Sequence, residues 1–527
     1  MVRTLMQAHR LDPFFQSFRS RLPMRLLWCS TIMVPSILMA QTQKPVSEAV
    51  ETITPRDLQR RVGIIADDSM MGRDNPSRGL ELTAKYVASE FGRIGLKPAG
   101  DQGSYLQRFK LTRWTIDTDR SAVELVTDRA GDVSRQVAPL GSEARYVDGR
   151  MPDTLIRGNV LLLAGDPTPG SDVKGRVILL LLDYSKPVPP SLGQQIYRLA
   201  GAGSSAVLLL SNRDSTTFSD RLRTAGMPRL SRDAPRDTAE IAPIIEIHER
   251  TLAPLLSSVG IRPQRLRHAT RGERRSVEGM TAEIRLARRV LSRAELPNVV
   301  GVLEGSDPAL RKEFVAYSAH IDHIGVSPGQ LDSINNGADD NASGVAGLLE
   351  LAEAFSQPAA RPRRSLLFLA PSAEEPGLMG SAYFTEHPTV PLQHIVANLN
   401  LDLIGRNWTD SVIAVGLEQS DLSVTLQRVV RAHPELRMNP IADRWPEERI
   451  FYRSDHYNFA RRGVPILFFT SGTHADYHRP SDAPERIDVE KESRLVRLLF
   501  HLGSAIANQD ARPRWVAESY RQIVERQ

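Results

Sequence analysis

Five short segments in the second half of the chain carry residue types that bind cations and move protons. They are 319–323 (AHIDH), 337–344 (GADDNASG), 372–375 (SAEE), 400–402 (NLD) and 476–478 (DYH). Nine of the twelve histidines lie at or beyond position 320. Taken singly, each segment has an ordinary explanation. Glu374-Glu375 reads as a solvated pair, Asp339-Asp340-Asn341 as helix caps, and His320 with Asp322 as a hydrogen-bonded core histidine. Taken together they form an ordered set of His, Asp and Glu donors without cysteine, which suits divalent ions such as zinc. By residue type alone, His323 competes with His320 and His474 competes with His478.

Such donors act together only if the fold brings them to one place. Residues 298–305 (NVVGVLEG) and 313–320 (EFVAYSAH) read as apolar strands, and 343–355 (SGVAGLLELAEAF) as a helix. Strands at 365–370, 395–403 and 465–469 follow, with a closing helix near 488–507. Apolar strands alternating with helices predict an α/β sheet covered on both faces. Each donor segment then falls at or near the carboxyl end of a strand, the edge where open α/β sheets build ligand sites. Upstream, Thr54 and Pro55 open one helix and a second spans about 79–95. Between about 115 and 290, β-rich runs at 177–183, 206–211 and 242–247 surround one helix near 192–201 and predict a smaller domain.

At 527 residues the chain has room for two to four domains. The formal charge of +5 suggests a nucleic-acid partner, but the five arginines and one acid of residues 1–40 account for four of those charges. The remainder is close to neutral, which removes the electrostatic case for nucleic acid or a basic membrane face. A single cysteine, Cys29, excludes Cys-ligated zinc, intramolecular disulfides and a catalytic thiol in the donor-rich region. Met24-Arg25 followed by the short apolar run 26–40 has the layout of a secretory signal cleaved after Ala40. The expected product is exported, periplasmic or secreted, without stable membrane association.

With these motifs in order, the sequence resembles peptidase family M28, co-catalytic dizinc peptidases that include secreted bacterial aminopeptidases. The resemblance covers roughly 55–110 and 296–505 and includes 71–100 (MGRDNPSRGLELTAKYVASEFGRIGLKPAG), 319–325 (AHIDHIG), 374–381 (EEPGLMGS), 400–406 (NLDLIGR) and 476–482 (DYHRPSD). The middle segment resembles a protease-associated (PA) domain through 173–184 (VKGRVILLLLDY) and 201–211 (GAGSSAVLLLS). The implied fold is a mixed, mostly parallel sheet flanked by helices, with the PA-like domain inserted. The implied organisation is a leader at 1–40, peptidase segments at 41–125 and 286–510, the insertion at 126–285 and a tail at 511–527. The implied roles are His320 and Asp402 on one zinc, Glu375 and His478 on the other, and Asp340 bridging both. Glu374 would be the general base, Asp322 would orient His320, and Tyr477 would donate to the developing oxyanion. The insertion would shield or shape the cleft.

Physical chemistry gives reasons for such a set. Two cations ~3.5–4 Å apart, the separation seen in two-metal hydrolases, need a shared carboxylate to offset their repulsion. Zinc lowers the pKa of its water from ~15.7 towards ~7, which makes a bridging hydroxide available at neutral pH. Adjacent Glu374 and Glu375 must diverge to serve as base and ligand, so a turn is required there. The expected activity is removal of amino-terminal residues from peptides. Glutaminyl cyclase-like and carboxypeptidase-like zinc chemistry are the near alternatives, and a non-catalytic binding ectodomain the distant one. A cyclase relative holds one zinc, and a binding ectodomain loses ligands, whereas all five ligand positions are filled here. No H-E-x-x-H helix motif occurs.

Overall fold

The computed structural model describes residues 48–525 apart from 130, 152–154, 166, 190, 233–240, 268–271, 328 and 330–331. The leader, Cys29 and the expected cleavage position at Ala40 lie outside the described residues. Among the described residues, no helix is long and apolar enough to cross a membrane.

Thr54 caps helix α1 (Pro55–Ile65) by accepting from the main-chain N–H of Asp57 at 3.1 Å. Pro55 occupies the first turn, where a missing N–H costs nothing. Helix α2 (Arg78–Ile94) runs from the Ser77 cap to Gly95, whose φ of 86° provides the left-handed ending that glycine adopts without strain. Helix α3 (Gly344–Ser356) is buried on nearly all sides, and α4 (Val489–Asn508) starts at the Asp488 cap.

The main sheet contains β1 (Leu106–Ile116), β2 (Arg229–Arg232), β3 (Arg288–Leu303), β4 (Phe314–Ser318), β5 (Ser365–Ala370), β6 (Ile395–Leu401), β7 (Ser411–Val415), β8 (Asn439–Ile441) and β9 (Ile466–Thr470). Their spatial order is β8-β7-β9-β6-β4-β5-β3-β1-β2, and the short strand Lys97–Pro98 pairs beside β3. At the centre β9, β6, β4 and β5 run parallel, while β7 and β3 border them antiparallel. A parallel centre must be covered on both faces, and alternation along the strands achieves this. Val315, Tyr317, Leu366 and Phe368 pack into the core under α1 to α4. Ala316, Leu367 and Leu369 point the other way, against Phe384 and Phe459 of the helices Met379–Glu386 and His456–Ala460.

A second, eight-stranded sheet occupies residues 122–285, with parallel strands Ile156–Ala164, Val177–Leu181, Ala206–Ser211 and Ile244–His248 at its centre. Helices Leu192–Gly201 and Glu249–Ser258 pack on its two faces. The chain crosses between sheets more often than the sequence boundaries suggest. Strand β2, from inside the expected insertion, pairs antiparallel with β1 in the main sheet. The two sheets therefore share covalent continuity and a hydrogen-bonded strand.

Phe368 is fully buried and stacks on Tyr317 with ring centroids 5.7 Å apart. Phe368→Ala should lower unfolding free energy by about 3–5 kcal/mol in urea titrations, and a loss below about 1 kcal/mol would contradict this packing. His456 is fully buried and stacks on Phe468 at 4.4 Å. Burial holds its ring down at about 3, below the usual 6.5. The unfolded chain binds a proton there below pH ~6.5 that the folded chain refuses, so this residue withdraws stability as pH falls towards 3, by about 1.4 kcal/mol per pH unit. Asp455, pushed up to about 7 by burial, acts with the opposite sign, so the informative comparison is between wild type and His456→Leu. The variant should lose less stability between pH 7 and 5, and parallel stability curves would contradict the assignment.

Candidate metal centre

The parallel strands deliver the donor segments to one edge. β4 leads through Ala319 to His320, β5 to the loop of Glu374 and Glu375, β6 to Asp402, and β9 to the segment of Tyr477 and His478. Asp340 stands in the turn that enters α3, and its peptide bond to Asn341 is cis. Backbone regularity breaks beside these groups. Ala373, Leu403 and His478 have φ of 54°, 61° and 56°, strained values of the kind that cluster at functional sites. Glu374 and Glu375 diverge because the chain turns at once, the N–H groups of Gly377 and Leu378 both donating to the Glu374 carbonyl at 2.9 and 2.7 Å.

The donors gather in two groups, His320 with Glu374 and Asp402, and His323 with Asp340, Glu375 and His478. Asp340 faces both. Its Oδ1 is 3.4 Å from His320 Nε2 and its Oδ2 is 3.1 Å from His478 Nε2. Asp402 Oδ1 is 3.3 Å from His320 Nε2, and Glu375 Oε2 is 3.1 Å from His478 Nε2. Glu374 Oε2 stands farther off, 4.0 Å from His320 Nε2. Of the choices left open by residue type, His323 Nδ1 bonds Glu375 Oε1 at 2.8 Å, whereas His474 Nε2 lies 3.3 Å from Asp339 Oδ2, apart from both groups.

Supporting contacts orient the donors. His320 Nδ1 lies 3.2 Å from the main-chain carbonyl of Asp322, closer than the 3.7 Å to its carboxylate. That carboxylate instead accepts the N–H groups of Glu374 and Glu375, at 3.1 and 3.3 Å. With Nδ1 donating to the carbonyl, Nε2 presents its lone pair to the carboxylates. Two residues without an assigned role in the sequence reading also matter. Ser454 Oγ donates to Asp402 Oδ2 at 2.7 Å, and Asp482 Oδ2 accepts from the N–H groups of Asp339 and Asp340 at 3.0 and 3.2 Å. Each lies within four residues of a histidine, in 453–459 (RSDHYNF) and 476–482 (DYHRPSD).

Burial, countered in part by His320 and reinforced by Asp402, Glu375 and Asp455, pushes the Glu374 carboxyl well above the usual range. Desolvation opposes charge on His478, yet Asp340 and Glu375 hold it up at about 10. Burial beside Asp340 and Glu375 also raises the Tyr477 phenol, which therefore keeps its proton. The two groups open on a cavity of about 470 Å³ whose apolar wall includes Leu378, Leu403, Trp445, Ile450 and Phe468. Tyr477 lines it as well, stacked on His478 at 3.9 Å. Among the described residues, those that line it lie between 340 and 478.

Residues 298–502 match the model of Peptidase family M28. Over 202 residues the chain is 26% identical to Aminopeptidase YwaD of Bacillus subtilis (strain 168), covering 37% of this chain and 41% of that protein. Over 119 residues it is 30% identical to a probable zinc metalloprotease of Pyrenophora teres f. teres (strain 0-1), covering 23% of this chain and 25% of that protein. The chain thus spans less than half the length of these two relatives. A solved aminopeptidase from Aneurinibacillus sp. strain AM-1 aligns with a TM-score of 0.48 at 18% identity, covering 89% of this chain and 97% of that one. The matched segment contains all the donors of both groups, so the likeness to family M28 takes in the whole candidate centre.

Proposed function

We propose that the chain is a zinc-dependent aminopeptidase that binds two zinc ions and hydrolyses amino-terminal residues from peptides. The observation that carries this reading is the position of Asp340, with one carboxylate oxygen towards each donor group. The donor chemistry suits cations. His478 Nε2 is buried without a hydrogen bond although oxygens of Asp340 and Glu375 stand 3.1 Å away, an arrangement that a shared cation satisfies. His320, Asp402 and Asp340 would hold one zinc, and Asp340, Glu375 and His478 the other. His323 contacts Glu375 from outside this set.

When bound, zinc supplies Lewis acidity, lowering the pKa of water towards ~7 and polarising the scissile carbonyl. Glu374, the carboxylate left out of both ligand sets, takes the water proton and passes it to the departing amine nitrogen. Its upward shift favours that exchange near neutral pH. The protonated Tyr477 phenol donates to the oxygen on which negative charge develops. Carboxyl oxygens of Asp402 and Glu374 line the cavity and can accept from a terminal ammonium, and the apolar wall fits a large aliphatic or aromatic first residue. The name of the Bacillus relative agrees with this reading. The leader segment supports export, and the segments at 173–184 and 201–211 support a PA-like identity for the smaller domain.

Three outcomes test the proposal. A leucine-first peptide should be cleaved with a free amine and left intact when N-acetylated, with activity lost to a chelator and restored by zinc. Equal cleavage of the blocked peptide would overturn the amino-terminal specificity. Glu374→Gln should keep two zincs by elemental analysis and lose about 10²–10⁴-fold in kcat, since it removes a proton carrier and no ligand. Asp340→Ala should lose metal from both positions, and two zincs per chain in that variant would refute bridging.

A further inference from the structure

The matched segment does not hold its donor loops in place alone. The turn before α2 reaches them from more than two hundred residues away in sequence. Arg73 is 1% exposed, and its guanidinium donates to five main-chain carbonyls. Nε bonds Ile321 at 3.0 Å, between His320 and Asp322. Nη1 bonds Asn336 at 2.6 Å and Ile65 at 2.9 Å, and Nη2 bonds Gly337 at 2.9 Å and Asp340 at 3.4 Å. Two residues further on, Asn75 Nδ2 donates to Asp322 Oδ2 at 2.6 Å while its Oδ1 accepts from the N–H of Ala373 at 3.1 Å, immediately before Glu374. The main chain joins in, as the N–H groups of His323 and Gly325 donate to the carbonyls of Arg73 and Gly72. Gly72, at φ 64°, permits that approach, because a Cβ there would lie 2.5 Å from the carbonyl oxygens of Asn335 and Gly325.

We infer that Arg73 and Asn75 are positioning residues of the two-cation centre, joining the His320, Asp340 and Glu374-Glu375 loops into one rigid unit. The inference rests on the metal reading above and concerns residues outside both donor groups. Arginine suits the position because its planar fork offers five N–H donors in fixed directions and no acceptor. A lysine ammonium carries three donors on one atom and cannot reach carbonyls on both sides of the fork. Asn75 requires both halves of its amide, a donor for Asp322 and an acceptor for Ala373. Neither residue approaches the cavity wall, so neither contacts substrate there. Their effect passes through the placement of the ligands, where outer contacts typically govern ~10–100-fold in metal affinity.

The test uses the full-length chain. Zinc affinity is measured in chelator-buffered titrations for wild type, Arg73→Lys and Asn75→Ala, alongside thermal melts of each protein after chelation. The expected result is two zincs bound by wild type, zinc affinity about 10–100-fold weaker in both variants, and a metal-free melting temperature near wild type for Asn75→Ala. Asn75→Ala decides the matter if Arg73→Lys fails to fold. A folded Asn75→Ala that binds two zincs with wild-type affinity would overturn the inference and leave the metal centre intact. Wild-type protein that takes up no zinc would overturn both.

Discussion

Buried negative charge is the constraint around which this domain is organised. Asp322, Asp340, Glu374 and Asp402 are almost completely buried and converge with Glu375 on a small volume at the sheet edge. An uncompensated carboxylate in such surroundings costs several kcal/mol, and several together repel one another. Compensation comes from His320, His323 and His478, from main-chain N–H groups at Glu374 and Glu375, and from the Arg73 guanidinium behind them. In the proposed reading, a pair of divalent cations would supply the remaining counter-charge, with Asp340 between them.

That requirement explains the local departures from regular structure. Parallel strands end together, so their following residues meet at one edge, but strand geometry alone would aim neighbouring side chains to opposite faces. The left-handed residues Ala373, Leu403 and His478 redirect the chain beside the donors. Such conformations cost about 1–3 kcal/mol each and persist where surrounding packing over-determines them. Here the packing is a sheet filled on both faces, with α3 and α4 on one side and two short helices on the other.

The structure also separates what the chain holds close from what it holds apart. Among the described residues, none of those lining the cavity belongs to the smaller sheet, although β2 binds that domain to the main sheet. The amino-terminal segment contributes neither donor group but reaches three donor loops. Sequence distance is therefore a poor guide to mechanical importance in this fold.

Much of the centre was legible before folding was considered. Apolar strands alternating with helices indicate a two-faced α/β sheet, because covered parallel strands must be apolar throughout. The absence of cysteine from the donor region and the repeated pairing of His with Asp or Glu at strand ends indicate a cation site. The Thr54 and Gly95 signals are local hydrogen-bond and φ requirements, and both recur in the structure. What the residues left open depended on direction in space. His323 stands with the second donor group while His474 turns to Asp339, and no local rule separates them. Ser454 rather than the more conspicuous His456 contacts Asp402, since the short helix that begins at His456 buries the imidazole against Phe468. Arg73 and Asn75 stand in the segment 71–100 with no role legible there, because the main-chain carbonyls that Arg73 bonds and the Asp322 carboxylate and Ala373 N–H that Asn75 bonds lie far away in sequence. The sequence alone determined which elements form and which chemistry they carry, because periodicity and donor type are local properties. Only the tertiary structure decided which donors stand together and what holds them, because those depend on contacts between segments hundreds of residues apart.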